Sequence, residues 1–187
     1  MNQNITIRSC QTKDLEQILI LDKSSFGQLW SKSQYEREIN LPNSHFSLLS
    51  INNQKSSEAE IIGMGSWRVI AQDVEIPLFA IVPAYQTQGF GSYFFAHLLQ
   101  EIVKDNLRQA RLDVNVNNQK AIALYQKFGF KIFARIKHFY KKQQEDAYRM
   151  MLPSLTDKFF QQQLKINYQQ AYQRLQTKGF ALLSPVE

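Results

Sequence analysis

The spacing of apolar residues changes several times along this chain, and this change constrains the fold more than any other feature. Residues 4–10 alternate apolar and polar side chains and are rich in β-branched residues, which predicts a strand. Directly afterwards, Leu15, Ile18 and Leu19 recur at helical spacing among charged residues. A chain that alternates between these two patterns folds into a sheet with helices packed on its faces.

The two patterns continue to residue 153 and predict the order β-α-α-β-β-β-α-β-α-β-β. This order indicates an α/β fold with a mixed central sheet and helices on its faces. The predicted helices are 12–26, 31–40, 90–104 and 118–129, and the predicted strands are 4–10, 45–51, 60–72, 74–82, 110–116, 130–140 and 146–152.

A separate helical pattern occupies residues 154–187, after the domain predicted at residues 4–153. Apolar side chains recur there at helical intervals among many glutamines, at Phe160, Leu164, Tyr168, Ala171 and Leu175. We expect one amphipathic helix as a C-terminal extension. It could pack on the body of the domain or serve as an arm that binds a partner.

Composition and charge indicate where the protein works and which partners it can bind. The first residues lack a basic and apolar leader, and no apolar run has the length of a membrane span, so we expect a cytoplasmic protein. Cys10 is the only cysteine and the three histidines lie far apart, so no metal is expected. The net charge of +6 suits an anionic partner or serves solubility, but the basic residues are scattered, which argues against direct nucleic-acid binding. We expect a monomer or a weak dimer.

One short loop, YQTQGFGSYF at residues 85–94, lies between a strand that ends near Val82 and a helix that starts near Phe90. The first N–H groups of a helix have no intrahelical acceptor, and the helix dipole favours anions there. Gly89 and Gly91 would permit positive φ angles and a close approach of the backbone to a phosphate. On spacing alone, the loop is either a phosphate-binding loop or an ordinary turn.

Longer motifs decide between these alternatives. The stretch VPAYQTQGFGSYFFAHLL resembles the acyl-coenzyme A loop of the GNAT N-acetyltransferases, with Gln86, Gly89 and Gly91 in its Gln/Arg-x-x-Gly-x-Gly/Ala pattern. LDVNVNNQKAIALYQKFGF resembles the second half of the same domain. With FY…EDAYRMMLP, these motifs make the chain most similar to the RimI type, enzymes that acetylate the N-terminal alanine of a small-subunit ribosomal protein. The resemblance covers about residues 4–153 and implies a GNAT fold, with residues 154–187 added.

The resemblance implies acetyl-CoA as the cosubstrate and a set of residues that hold it. Phe79, Ala80 and Ile81 match the strand segment whose backbone pairs with the pantetheine arm, as an added strand would. Asn118 matches an asparagine that contacts the cofactor, and it could instead, or also, cap the following helix. The loop residues that would offer backbone N–H groups to the pyrophosphate are Thr87, Gln88, Gly89, Phe90, Gly91 and Ser92.

The resemblance also implies a base and an acid for acetyl transfer to an amine. Asp113 stands where the RimI type carries a glutamate base. Its shorter side chain favours a relay through water, and the alternative is a solvated or structurally bonded carboxylate. Tyr125 matches the tyrosine that returns a proton to the sulfur of the thioester, and the alternative is an aromatic residue of the core.

The implied acceptor is the N-terminal amine of a ribosomal protein. Phe139 and Tyr140 resemble the aromatic pair that lines the peptide groove, and Trp30 lies in a loop that would meet it, although these rings could simply pack the sheet edge. Thr87 and Asn115 stand where the RimI type carries arginines. This loss of charge keeps two alternatives open: acetylation of a small-molecule amine, and a non-enzymatic module that binds coenzyme A or the ribosome.

Overall fold

Eight strands form one sheet in the computed structural model, which describes residues 3–52, 59–140 and 144–182. The strands are β1 (Gln3–Ser9), β2 (Ser44–Asn52), β3 (Glu60–Ile70), β4 (Asp73–Ile81), β5 (Ala110–Asn115), β6 (Lys131–Tyr140), β7 (Glu145–Leu152) and β8 (Phe180–Leu182). Their order across the sheet is β6-β7-β5-β4-β3-β2-β1-β8. Only β4 with β5 and β1 with β8 run parallel among the described pairs, so the sheet is mixed as predicted.

Helices cover both faces of this sheet. They are α1 (Leu15–Phe26), α2 (Lys32–Asn40), α3 (Phe90–Lys104), α4 (Gln119–Lys127) and α5 (Lys158–Thr177). One core packs α3, α4 and α5 against the sheet, with Phe94, Phe95 and Ile62 among its fully buried residues. The second core packs α1 and α2 against the other face, with Ile18 and Tyr35 fully buried. The α/β class and the order of the predicted elements are confirmed.

The C-terminal extension is part of this packing. Its helix α5 lies against α3, where Tyr168 and Tyr93 place their ring centroids 5.5 Å apart, and Leu164, Ala171 and Leu175 are buried. After the helix, β8 pairs in parallel with β1 at the edge of the sheet. The sequence pattern predicted α5 but not β8, because three residues are too few to show a strand period. The sequence also predicts a polar turn at residues 52–59, most of which lies outside the described residues, as do Lys141 and Lys142.

The sheet opens between β4 and β5. These neighbours pair only at Val74 with Ala110 and at Glu75 with Arg111. On its other side, β4 carries a bulge, since Ser66 faces Leu78 whereas Arg68 faces Glu75. Pro77 lies within this bulge, where its missing N–H removes no regular ladder bond and the extra residue bends the strand. From there to their carboxyl ends, β4 and β5 diverge.

A buried carboxylate fixes the loop between α1 and α2, which faces this opening. Asp22 of α1 is 1% exposed. It accepts hydrogen bonds from the backbone N–H groups of Leu29 at 3.0 Å and Trp30 at 3.3 Å. Gly27 ends the helix in a left-handed conformation with φ of 67°. The loop is therefore held by charge-assisted bonds rather than by regular structure.

Candidate active site

The opening between β4 and β5 forms a cavity of about 1060 Å³. Its walls come from Ile76–Ile81 of β4, Leu112–Asn115 of β5, the first turns of α3 and α4, and the loop after α1. Ligand cavities in proteins commonly measure about 300–1,000 Å³, so this one suits a large cofactor together with a second substrate. The cavity places one free strand edge, two helix N-termini and several polar side chains around one space.

The free edge belongs to β4. Val82 donates its N–H to Ile62 of β3 at 2.8 Å. Along a strand, the backbone N–H groups of successive residues point alternately to opposite sides. The N–H of Ala80 therefore points towards β3, like that of Val82, whereas the N–H groups of Phe79 and Ile81 point into the opening. All three predicted residues line the cavity. An extended chain that carries amides can pair with such an edge as an added strand.

The glycine loop closes one end of the cavity. Gln86 donates its side-chain amide to the carbonyl of Ile81 at 2.9 Å, which ties the loop to the end of β4. Thr87 and Gly89 adopt left-handed conformations with φ of 61° and 112°. This region is rare for a β-branched residue, so the fold must hold Thr87 there. Tyr93 makes the first intrahelical bond, to Gly89 at 3.0 Å, so the N–H groups before it have no acceptor within the helix.

The two glycines of this loop act differently. Gly89 has the positive φ expected of it, but Gly91 does not, so this part of the prediction is wrong for Gly91. A β-carbon placed on Gly91 would meet Ile81 and Leu124 only at 3.7 and 3.8 Å, an ordinary contact distance. The protein itself therefore leaves room for a side chain, and glycine keeps the space above the first turn of α3 open. That space fits the phosphates of coenzyme A.

The other predicted loop residues divide into those that face the cavity and those that support it. Thr87, Gly89, Gly91 and Ser92 line the cavity, whereas Gln88 and Phe90 do not. Gln88 turns its side-chain amide back to the carbonyl of Ala84 at 2.7 Å. The Phe90 ring is fully buried and lies 5.0 Å from that of Phe180. Only the backbone N–H groups of these two residues could meet a ligand.

Asn118 begins α4 at the cavity wall. Its side-chain oxygen accepts from the N–H of Ala121 at 3.1 Å, which confirms the helix-capping role. The residue also lines the cavity, so its predicted contact with the cofactor is compatible with the cap.

Tyr125 lies two turns further along α4 and reaches the same cavity. Its ring packs among aromatic neighbours, 5.1 Å from Phe95 and 6.2 Å from Phe130 between centroids. Burial, and after it the neighbouring Tyr140, raise the pKa of the Tyr125 phenol above its usual range. The hydroxyl therefore stays protonated at neutral pH and can act as a proton donor. Core packing and a site position coexist here.

Asp113 of β5 is paired rather than free. Its neighbour across the sheet, Arg149 of β7, donates to both carboxylate oxygens at 2.9 Å. This pair raises the pKa of the Arg149 guanidinium. Sequence reasoning missed Arg149, although a lone arginine inside the apolar strand DAYRMML was a usable signal. Asp113 can accept a proton only if its carboxylate rotates out of this pair, or if an oxygen lone pair not used by Arg149 accepts a hydrogen bond from water.

A second carboxylate of the cavity lies at the start of β7. Glu145 lines the cavity and accepts hydrogen bonds from the side-chain amides of Asn115 and, at 3.2 Å, Asn117. Sequence reasoning noted Asn115 only for the positive charge that it lacks. In the structure, Asn115 instead bonds Glu145. Glu145 is a further candidate proton acceptor, and it belongs to the motif FY…EDAYRMMLP, from which sequence reasoning did not select it.

Of the three residues predicted to bind the acceptor substrate, the structure brings two together at the cavity. Phe139 and Tyr140 line the cavity with ring centroids 5.1 Å apart. Burial, and after it Asp113, raise the pKa of Tyr140 to about 12. Trp30 does not line the cavity, because its backbone is held by Asp22 and its ring packs on Tyr35 at 5.2 Å. Its neighbours Phe26, Gln28 and Leu29 take that position instead.

Within residues 3–52, 59–140 and 144–182, no group of three or more histidine, cysteine, aspartate or glutamate side chains could hold a metal ion. None of the helices in those ranges combines the length and hydropathy needed to cross a membrane.

Known proteins resemble the chain over most of its length. The ribosomal protein bS18-alanine N-acetyltransferase of Escherichia coli K12 is 27% identical over 150 residues, which are 79% of this chain and 97% of that protein. The enzyme of the same name from Haemophilus influenzae is 31% identical over 129 residues, covering 69% of this chain and 79% of that protein. A crystal structure of the Escherichia coli ribosomal-protein-S18-alanine N-acetyltransferase superposes with a TM-score of 0.70 at 25% identity, covering 82% of this chain and 97% of that one.

Residues 15–130 match the model of the GNAT acetyltransferase family. The matched residues include the diverging strands β4 and β5, the glycine loop and α4. The free edge of β4 and the space above Gly91 fit the pantetheine arm and the phosphates of acetyl-CoA. The chain belongs to the GNAT family and is an acetyl-CoA-dependent N-acetyltransferase.

Proposed function

We propose that this enzyme acetylates the α-amine of a protein N-terminus, with the N-terminal alanine of a ribosomal protein as the first candidate. One observation carries the proposal: beyond the edge of β4, the cavity continues past Asp113 and Tyr125 to Phe139, Tyr140 and the loop after α1. This part has the room and the aromatic walls that a short peptide requires. The names of the relatives supply the candidate acceptor. A ribosomal acceptor would place the reaction in the cytoplasm.

For acetyl transfer, the protein must bind both substrates, remove a proton from the amine and supply a proton to the sulfur leaving group. Bound acetyl-CoA supplies an activated acetyl group and a sulfur leaving group. An N-terminal amine has a pKa of about 7.7–8.0, so a weak acceptor is sufficient to remove its proton. Asp113 takes this role in our proposal, through a water that its pairing with Arg149 still permits. Tyr125 holds the proton for the sulfur.

A small-molecule amine is the second candidate acceptor. The charge of Asp113 is balanced by Arg149, but Glu145 is bonded only to neutral amides among its described contacts and lines the cavity, so its negative charge would also suit a cationic small-molecule amine. The non-enzymatic module considered from sequence loses its support, because the chain is an acetyltransferase.

The choice of acceptor is tested with a peptide that begins with alanine and contains one lysine. We expect acetylation of the α-amine only, because the lysine amine has a pKa of about 10.4 and stays charged at neutral pH. Tandem mass spectrometry locates the label, and the same peptide with a blocked N-terminus is the control. Label on lysine alone, or faster turnover of spermidine than of the peptide, contradicts the proposal.

The role of Tyr125 is tested by Tyr125→Phe. We expect kcat to fall by about 10²-fold or more, while the Kd of coenzyme A changes by less than about threefold, since only the hydroxyl is removed. Because the pKa of Tyr125 is raised, the wild-type rate should show no loss from its deprotonation below about pH 10. Tyr93→Phe, a buried tyrosine outside the cavity lining, is the matched control. Equal kcat values for the two variants would remove Tyr125 from the proton-donor role.

The proton acceptor is tested by comparing Asp113→Asn with Glu145→Gln. We expect Asp113→Asn to lower kcat by about 10-fold to 10²-fold across the pH range in which the amine titrates, because it removes the acceptor and the ion pair with Arg149. Glu145→Gln should mainly raise the KM of the acceptor, since its hydrogen bonds hold Asn115 and Asn117. The opposite pattern would transfer the base role to Glu145.

A further inference from the structure

The C-terminal extension touches the glycine loop. Leu175 of α5 is fully buried beneath it. A β-carbon placed on Gly89 would lie 3.5 Å from Cδ of Arg174, 3.6 Å from Cδ2 of Leu175 and 3.7 Å from Nε of Arg174. Lys178, just after α5, donates its ammonium to the carbonyl of Gln88 at 2.8 Å. The last turn of α5 and the residue after it thus contact Gly89 and Gln88, next to the positive φ angle of Thr87.

Arg174 also faces the cavity. It lines the same space as Lys120 and Lys127 of α4, so three cationic side chains line this cavity. In the part of the chain that the structure describes, none of the three forms an ion pair with a carboxylate. Burial, and after it the charge of Arg174, lower the pKa of Lys127. Like charges held together without a counter-ion favour an anionic ligand.

The loop itself supplies no positive side chain. Residues 83–92 contain neither lysine nor arginine, so the pyrophosphate would meet only backbone N–H groups and the dipole of α3. A guanidinium beside Gly89 adds full charge and several donors in a planar fork, a geometry that suits phosphate oxygens.

We propose that Arg174 of the C-terminal extension binds the pyrophosphate of acetyl-CoA. The residues that match the GNAT family model are 15–130, so Arg174 and the rest of α5 lie outside that match. In this proposal the extension supplies a cation for the cofactor site from outside the part that matches the family model.

The test measures cofactor binding without any acceptor, by isothermal titration calorimetry with coenzyme A and with dephospho-coenzyme A, which lacks the 3′-phosphate. We expect Arg174→Gln to weaken both ligands equally, by about 5-fold to 30-fold, and to reduce the salt dependence of binding. Arg174→Lys should restore most of the salt dependence. Lys165→Gln, an exposed cation of the same helix outside the cavity lining, is the control and should bind like the wild type.

Unchanged affinity in Arg174→Gln would overturn the proposal. Weakening confined to coenzyme A would also overturn it, because it would place Arg174 at the 3′-phosphate. Thermal unfolding should be similar for both glutamine variants, since both side chains are exposed. The proposal rests on the use of acetyl-CoA and not on the acceptor, so failure of peptide acetylation would leave it standing and the binding result would decide it.

Discussion

The early separation of β4 from β5 is the constraint on which the rest of the structure depends. If two parallel strands paired along their full length, their backbone N–H and C=O groups would bond one another and leave no cavity between the strands for a ligand. Here the pairing stops after Glu75, where the bulge at Pro77 bends β4. The cost is a row of unpaired backbone groups on β4, and an amide-bearing ligand can satisfy them. The same irregularity therefore opens the sheet and leaves an edge with which such a ligand can pair.

The cavity is polarised along its length. Arg174 lies beside Gly89 of the glycine loop, and its charge adds to the effect of burial in lowering the pKa of nearby Lys127. By contrast, Asp113 and Glu145 line the part of the cavity formed by β5 and β7. This arrangement suits a ligand with phosphates at one end and an acceptor amine at the opposite end. The carboxylates are restrained by Arg149 and by two asparagine side chains, so their positions are set before any substrate binds. The polarity thus follows from fixed side chains on several elements.

Much of the fold could be predicted because local patterns determine it. The helix at Phe90–Lys104 and the sheet strands follow from apolar periodicity, and Asn118 follows from capping chemistry. The pairing of Asp113 with Arg149 could not be predicted, because it depends on the register of β5 against β7, two strands separated in sequence. The displacement of Trp30 from the cavity depends on the buried Asp22, which the helical pattern alone does not reveal. The approach of Arg174 to Gly89 depends on tertiary packing of α5, which no motif encodes.

Amide hydrogen exchange, measured with and without coenzyme A, tests whether acetyl-CoA binds along the free edge of β4. Coenzyme A should slow exchange at the N–H groups of Phe79 and Ile81, which face the cavity, with little change at Ala80, which already bonds β3. Protection confined to the glycine loop, with Phe79 and Ile81 exchanging as in the free protein, would contradict binding along this edge.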